Sequence, residues 1–188
     1  MNFDELYQKY ITRPGADELL VFLQGTDFYT APASTRFHGS HEGGLVEHSI
    51  NVWNELCRLM RVYKDTVTVP AESIALVSLL HDLCKIGCYK TEMRNAKENG
   101  VWVQKPYYTF KEDFPFGGHG AKSVFLIERF MKLTEDEAVA INCHMGFSEP
   151  GANIASIGSA FEQYPLAWLL HVADESATYM VEAHNAKQ

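Results

Sequence analysis

The chain has 188 residues, 46% of them hydrophobic and 21% charged, which is the size of one ordinary domain with material for a real core and too mixed a charge pattern for disorder. Sixteen Lys and Arg against 24 Asp and Glu leave a net charge of -8. That excludes long duplex nucleic acid as the expected partner, because such binding draws on counterion release by basic residues; a small anionic substrate stays compatible, since a local metal charge outweighs a distant acidic surface.

Residues 1–10 carry acids and no apolar run, so no signal peptide is expected. No stretch approaches the roughly 18 apolar residues of a membrane helix, so no membrane partner is expected. Cys57, Cys84, Cys88 and Cys143 read as reduced core thiols of a cytoplasmic protein. Cys84 and Cys88 would share a helix face, but one loose pair does not make a zinc knuckle.

In chain order the pattern is helix after helix within a single domain over residues 1–188. A short helix is expected over 2–12, ended by Pro14, and a second over 17–24, ended by Gly25. A Gly/Ser/His-rich stretch, 36–44, precedes a long helix over 45–63, whose Val46, Ile50, Trp53, Leu56, Cys57 and Met60 keep a 3.6-residue period. The next helix opens at Pro70 and runs to 83, apolar nearly all round, as suits the centre of a domain. Residues 89–118 change character: Val101-Trp102-Val103 and Pro106-Tyr107-Tyr108-Thr109-Phe110 are aromatic and β-branched, with Asn99-Gly100 as a turn signal, so a β-hairpin or an ordered aromatic loop is expected. The charged run 90–98 reads as solvated. Helices resume over 120–132 and, from a Thr134/Glu137 capping box, to His144. Residues 146–164 read as loop, and Pro165 opens a last helix to 184. The expected fold is all-α, six or seven helices with one aromatic insertion.

Histidines and aspartates stand at informative places. His48 lies early in the long helix, His81 and Asp82 are adjacent at the end of the apolar one, His119 opens a helix, His144 closes one and Asp174 sits midway along the last. A His-Asp pair at the end of an apolar helix is costly to bury without a partner. A divalent cation removes that cost, and imidazole with carboxylate suits Fe, Mn, Zn or Co better than Mg or Ca. A carboxylate can bridge two ions, which makes Asp82 the natural bridge if there are two.

The order His48, His81-Asp82, Asp174 resembles the HD-domain superfamily of metal-dependent phosphohydrolases. Gly43-Gly44-Leu45-Val46-Glu47-His48-Ser49 looks like its first-histidine segment, and Leu79-Leu80-His81-Asp82-Leu83-Cys84-Lys85-Ile86-Gly87 is similar to its defining motif. Gly118-His119-Gly120 and Cys143-His144-Met145-Gly146 resemble the extra histidines of its two-metal branch; His171-Val172-Ala173-Asp174 looks like its closing aspartate. The resemblance implies an HD-type helical bundle with one metal on His48, His81, Asp82 and Asp174 and a second on Asp82, His119 and His144. It implies hydrolysis of a phosphoester or phosphoanhydride of a nucleotide-like small molecule by metal-activated water, with Asp82 and Lys85 catalytic and Lys85 stabilising charge on the phosphoryl oxygens. Symmetrical dinucleoside tetraphosphate hydrolases and the HD domain of certain 3′-5′ exoribonucleases share the pattern. Two other readings keep the same ligands: a nucleotide-sensing module without turnover, and an HD-like di-iron oxygenase.

Substrate contacts are open between two readings. Arg36, His38 and His41 either reach phosphate or are ordinary loop residues. Tyr107 and Tyr108, with Trp102 and Phe110, either stack a nucleobase near the metals or form a small satellite core. His171 is expected to pack or to support a ligand rather than to be one.

Overall fold

A computed structural model describes residues 1–36, 38–111, 117–149 and 153–183. Helix α1 (Phe3–Tyr10) starts from a capping box in which Asn2 and Glu5 satisfy each other's backbone N–H. Then come α2 (Ala16–Gln24), the long α3 (Gly44–Val62) and α4 (Ala71–Leu80). A hairpin of β1 (Tyr89–Glu98) and β2 (Val101–Phe110) follows. The remaining helices are α5 (His119–Glu128), α6 (Glu135–Cys143), α7 (Ile154–Gln163) and α8 (Pro165–Ser176), which runs on as a π-helical segment, Ala177–Glu182. Eight α-helices and one hairpin thus stand among the described residues, against six or seven expected.

Helix α4 is the centre. Seven of its ten residues are buried, and it packs on α1, α3 and α6 while α8 closes over α3 and α6. Leu76, Leu79 and Leu80 are fully buried, each contributing about 1.5–3 kcal/mol of transfer free energy. Within α4 the buried polar side chains are two serines, Ser73 and Ser78, and the ionisable groups come where the helix runs out, at His81 and Asp82.

Several expectations need correction. Helix α4 stops at Leu80, three residues early, and a 3₁₀ turn, Leu83–Lys85, follows. The turn is pinned from outside: Cys84 N–H donates to Ser123 Oγ at 3.0 Å and Lys122 Nζ to the Cys84 carbonyl at 2.6 Å, both from α5. Cys84 and Cys88 therefore share no helix face; the Cys88 thiol points at the Cys84 carbonyl, 3.0 Å away.

Residues 90–98 form a strand whose charged side chains are solvated, as expected. Their charges are tolerated because the ribbon pairs only with β2 and exposes most of its side chains. Asn99 (φ 49°) and Gly100 (φ 87°) supply the two positive φ angles of a tight hairpin turn. The 146–164 loop holds a helix, α7, started by Asn153, whose side chain accepts from Ala155 and Ser156 N–H. Only Ile157 of α7 is buried, so its apolar period is faint. Of the aromatic insertion, 112–116 lie outside the described residues, as does His184.

Candidate metal centre and its cavity

Three imidazoles converge on one carboxylate. His48 reaches in from the start of α3, His81 and Asp82 from the turn after α4, and His144 from the residue that ends α6. The Nε2 atoms of His81 and His48 lie 3.5 and 3.8 Å from Asp82 Oδ2, and His144 Nε2 lies 3.5 Å from Asp82 Oδ1. Asp174, on α8, places Oδ1 3.0 Å from His48 Nε2.

Each ring is held from behind. His81 Nδ1 lies 2.9 Å from the Ser78 carbonyl and His144 Nδ1 2.7 Å from the Ile141 carbonyl. A carbonyl only accepts, so Nδ1 carries the proton and the neutral ring turns its Nε2 lone pair to the cluster. His48 Nδ1 is 2.9 Å from Glu182 Oε1, which also accepts from Asn51 Nδ2 at 3.0 Å.

The three Nε2 atoms are buried without a hydrogen-bond partner; the close approach of His48 to Asp174 lacks the alignment of such a bond. Buried ring nitrogens without a partner are rare and costly, and cations held in these groups would satisfy them. His48, His81 and Asp174 offer ligand atoms within 4.8 Å of one another, and so do His81, Asp82 and His144. These buried clusters can hold metal ions, and imidazole with carboxylate is the donor set of Fe, Mn, Zn or Co.

Electrostatics agree. Burial acts to lower the His48 pKa, but Asp174 and Glu182 outweigh it and raise it to about 10. Burial lowers His81 to about 4. Burial also opposes ionisation of Asp82, yet Lys85, 2.5 Å away, and the surrounding histidines hold its carboxyl well below the usual range. Asp174 is depressed likewise against its burial, chiefly by His48. The nest favours positive charge at its centre.

A cavity of about 1000 Å³ opens over the cluster, at the upper end of the range for small-molecule sites. Asp82, Lys85, His119, Asp174, His38 and His41 line it. Lys85, three residues after Asp82 on the 3₁₀ turn, stands over the carboxylate it pairs with. His119 shares the cavity but not the two tight ligand groups; its Nδ1 and backbone N–H face Glu149 at 3.3 and 3.2 Å. The His38 ring lies 4.8 Å from that of His48, and burial lowers its pKa to about 4. His41 pairs with Glu47 at 2.9 Å in an exposed position.

The hairpin contributes Tyr89 and Phe110, stacked at 5.2 Å, to the wall. Tyr107 instead donates to Glu92 across the ribbon, and Tyr108 packs edge-on against Tyr89; neither lines the cavity, nor do Trp102 and Arg36. His171 Nδ1 donates to the His144 carbonyl at 2.8 Å, supporting that turn. Sequence reasoning passed over Glu182, Asn51, Glu149 and Tyr89. Glu182 sits eight residues after Asp174, and only the helix phase could have hinted at it.

One characterised protein is similar in sequence. The dihydroneopterin 2′,3′-cyclic phosphate phosphodiesterase of Methanocaldococcus jannaschii is 27% identical over 161 residues, covering 72% of this chain and 63% of that protein. The chain thus spans less than two thirds of that relative's length. No protein-family model matches the chain, and no solved structure does. No helix among the described residues is long and apolar enough to cross a membrane.

Proposed function

We propose that the protein is a metal-dependent phosphohydrolase of the HD type, acting on a phosphoester or phosphoanhydride of a nucleotide-like small molecule. The observation that carries this reading is the set of three buried, partnerless Nε2 atoms around Asp82 beneath an open cavity. Similarity to a phosphodiesterase supports the same chemistry.

In this reading His48, His81, Asp82 and Asp174 would hold one ion, and Asp82, His119 and His144 would hold a second. Divalent ions there supply Lewis acidity and a water of lowered pKa. The chain's own residues do the rest. The Ser78 and Ile141 carbonyls and Glu182 fix the three rings so that their lone pairs need no reorientation. Lys85 keeps its ammonium at the cavity floor, where it offsets charge growing on phosphoryl oxygens. Tyr89 and Phe110 give the organic part of the substrate an aromatic wall.

The test is phosphate release by purified, metal-loaded protein from nucleotides, cyclic phosphates and dinucleoside polyphosphates. Turnover that a chelator abolishes and added metal restores is the expected result. A metal-loaded protein that binds nucleotides and releases nothing is a sensor; iron-dependent oxygen consumption marks an oxygenase. Either outcome overturns the proposal.

A further inference from the structure

Charge is distributed unevenly around the cavity. Among the described residues that line it, Lys85 is the sole Lys or Arg, and its ammonium already lies 2.5 Å from Asp82. Three carboxylates besides Asp82 and Asp174 share the wall: Glu47, Glu175 and Glu182. Glu182 Oε2 is buried and has no hydrogen-bond partner, so it presents an unused acceptor beside the site.

This inventory constrains what can be bound, taking the phosphohydrolase reading as given. One phosphoryl group, placed over the His/Asp cluster and Lys85, meets positive charge. A second or third phosphate on the same molecule shares the cavity with Glu47 and Glu175. Both carboxylates are exposed, so salt screens their repulsion in part, but a phosphate that comes within a Debye length of them still meets like charge. Sites that accept a phosphate chain place Arg or Lys along it, and among the described residues none lines this wall beyond Lys85. Carboxylates do have a use toward an organic group: they accept from hydroxyl and N–H donors with charge-assisted strength. Ser34, Thr35 and Ser40 add further polar atoms, while Tyr89 and Phe110 cover a planar face.

We infer that the substrate carries a single phosphorus, as a monoester or a diester, joined to an uncharged organic group rich in hydrogen-bond donors, and that Glu47 and Glu175 exclude polyphosphates. The symmetrical dinucleoside tetraphosphates that the sequence pattern also suggests are then poor substrates, because their four linked phosphates must run past those carboxylates.

Calorimetric titration of the full chain at a fixed free Mn²⁺ concentration tests this with adenosine mono-, di- and triphosphate and with phenyl phosphate. Affinity is expected to fall at least tenfold from the mono- to the triphosphate, and adenosine monophosphate to bind at least tenfold more tightly than phenyl phosphate. The double variant Glu47→Gln, Glu175→Gln is expected to shrink both gaps. A triphosphate bound as tightly as the monophosphate by the native chain, or gaps unchanged in the variant, overturns the inference. Hydrolysis of bis(p-nitrophenyl) phosphate, measured alongside, probes the parent reading separately: without release the hydrolase reading falls, and the affinities still decide the charge rule.

Discussion

Glu182 backs His48 with a full negative charge, whereas neutral peptide carbonyls back His81 and His144. A carboxylate behind an imidazole makes its far nitrogen a stronger donor to a cation, so the ion nearest His48 should be the tighter bound. Replacing Glu182 by Gln keeps an acceptor oxygen and removes the charge. Metal affinity is expected to drop about 10–100-fold, read by Mn²⁺ titration, with the helical circular dichroism unchanged. Equal affinity in the variant would mean that Glu182 only fills space.

Metal removal should cost stability, because folding alone assembles the cluster from α3, α4, α6 and α8. Saturation at a hundred times the dissociation constant adds about 2.7 kcal/mol, and for a domain of this size each kcal/mol moves the melting temperature by about 2–4 °C. A chelator is therefore expected to lower the melting point by roughly 5–11 °C. Asp82→Asn should melt the same with and without metal.

Lys85→Met tests the ammonium at the cavity floor. Loss of one preorganised donor lowers kcat by about 10²–10³. Metal content, measured on the same preparation, should stay at the native level, since no proposed ligand is removed. A fall in metal content to match the fall in rate would assign Lys85 to holding Asp82 rather than to the substrate.

Far from the cavity, Arg13 makes a fork with both oxygens of Glu137, 2.7 Å each, and reaches Glu72 at 3.3 Å. Glu137 also caps α6 through Thr134 N–H and is fully buried. Burial alone would raise its carboxyl pKa, but the Arg13 and Thr134 bonds hold it below the ordinary 4.5. A depressed folded pKa gives stability that is complete above 4.5 and is lost as the pH falls through the lower value. Urea midpoints should thus be flat in this respect from pH 7 to 5 and decline below about 4.5. Arg13→Ala leaves the carboxylate buried and unpaired, at a cost of about 3–5 kcal/mol at pH 7, and should flatten the acid limb.

Gly120 lets α5 lie on α6: a Cβ there would meet the Ile141 and Asn142 carbonyls at 2.4 Å. Those helices bring His119 to the cavity and His144 to the cluster beneath it. Gly120→Ala is expected to destabilise by about 1–3 kcal/mol. In the thermal melt a drop of a few degrees is expected, and an unchanged transition would show that the two helices can part.

The helices were legible where one face is buried and an end is written into the sequence, as at the Thr134-Glu137 cap and at Pro14 after the first helix. Helix α7 was not, because it buries one residue and its cap, Asn153, stands alone. In the sequence His81 and Asp82 stood out as polar residues ending an apolar run, whereas His48, His144 and Asp174 were marked as ligands by the resemblance to the HD-domain superfamily. Glu182 broke no such pattern, and Tyr89 merely opened the stretch expected to be a β-hairpin or an ordered aromatic loop. Tyr107 and Tyr108 attracted notice for their chemistry, but strand alternation and the length of the ribbon put Phe110, not them, at the cavity. What stays invisible to periodicity is the place where a ribbon leaves the bundle.

The π-helical stretch at Ala177–Glu182 makes the two ends of the chain's architecture unequal in their tolerance of length. At Asn99-Gly100, added residues only lengthen a solvent-facing tip. Between Asp174 and Glu182, dropping one residue rotates everything downstream by about 100° and swings the carboxylate off the imidazole it supports. Insertions and deletions should therefore accumulate freely at the first place and be purged from the second.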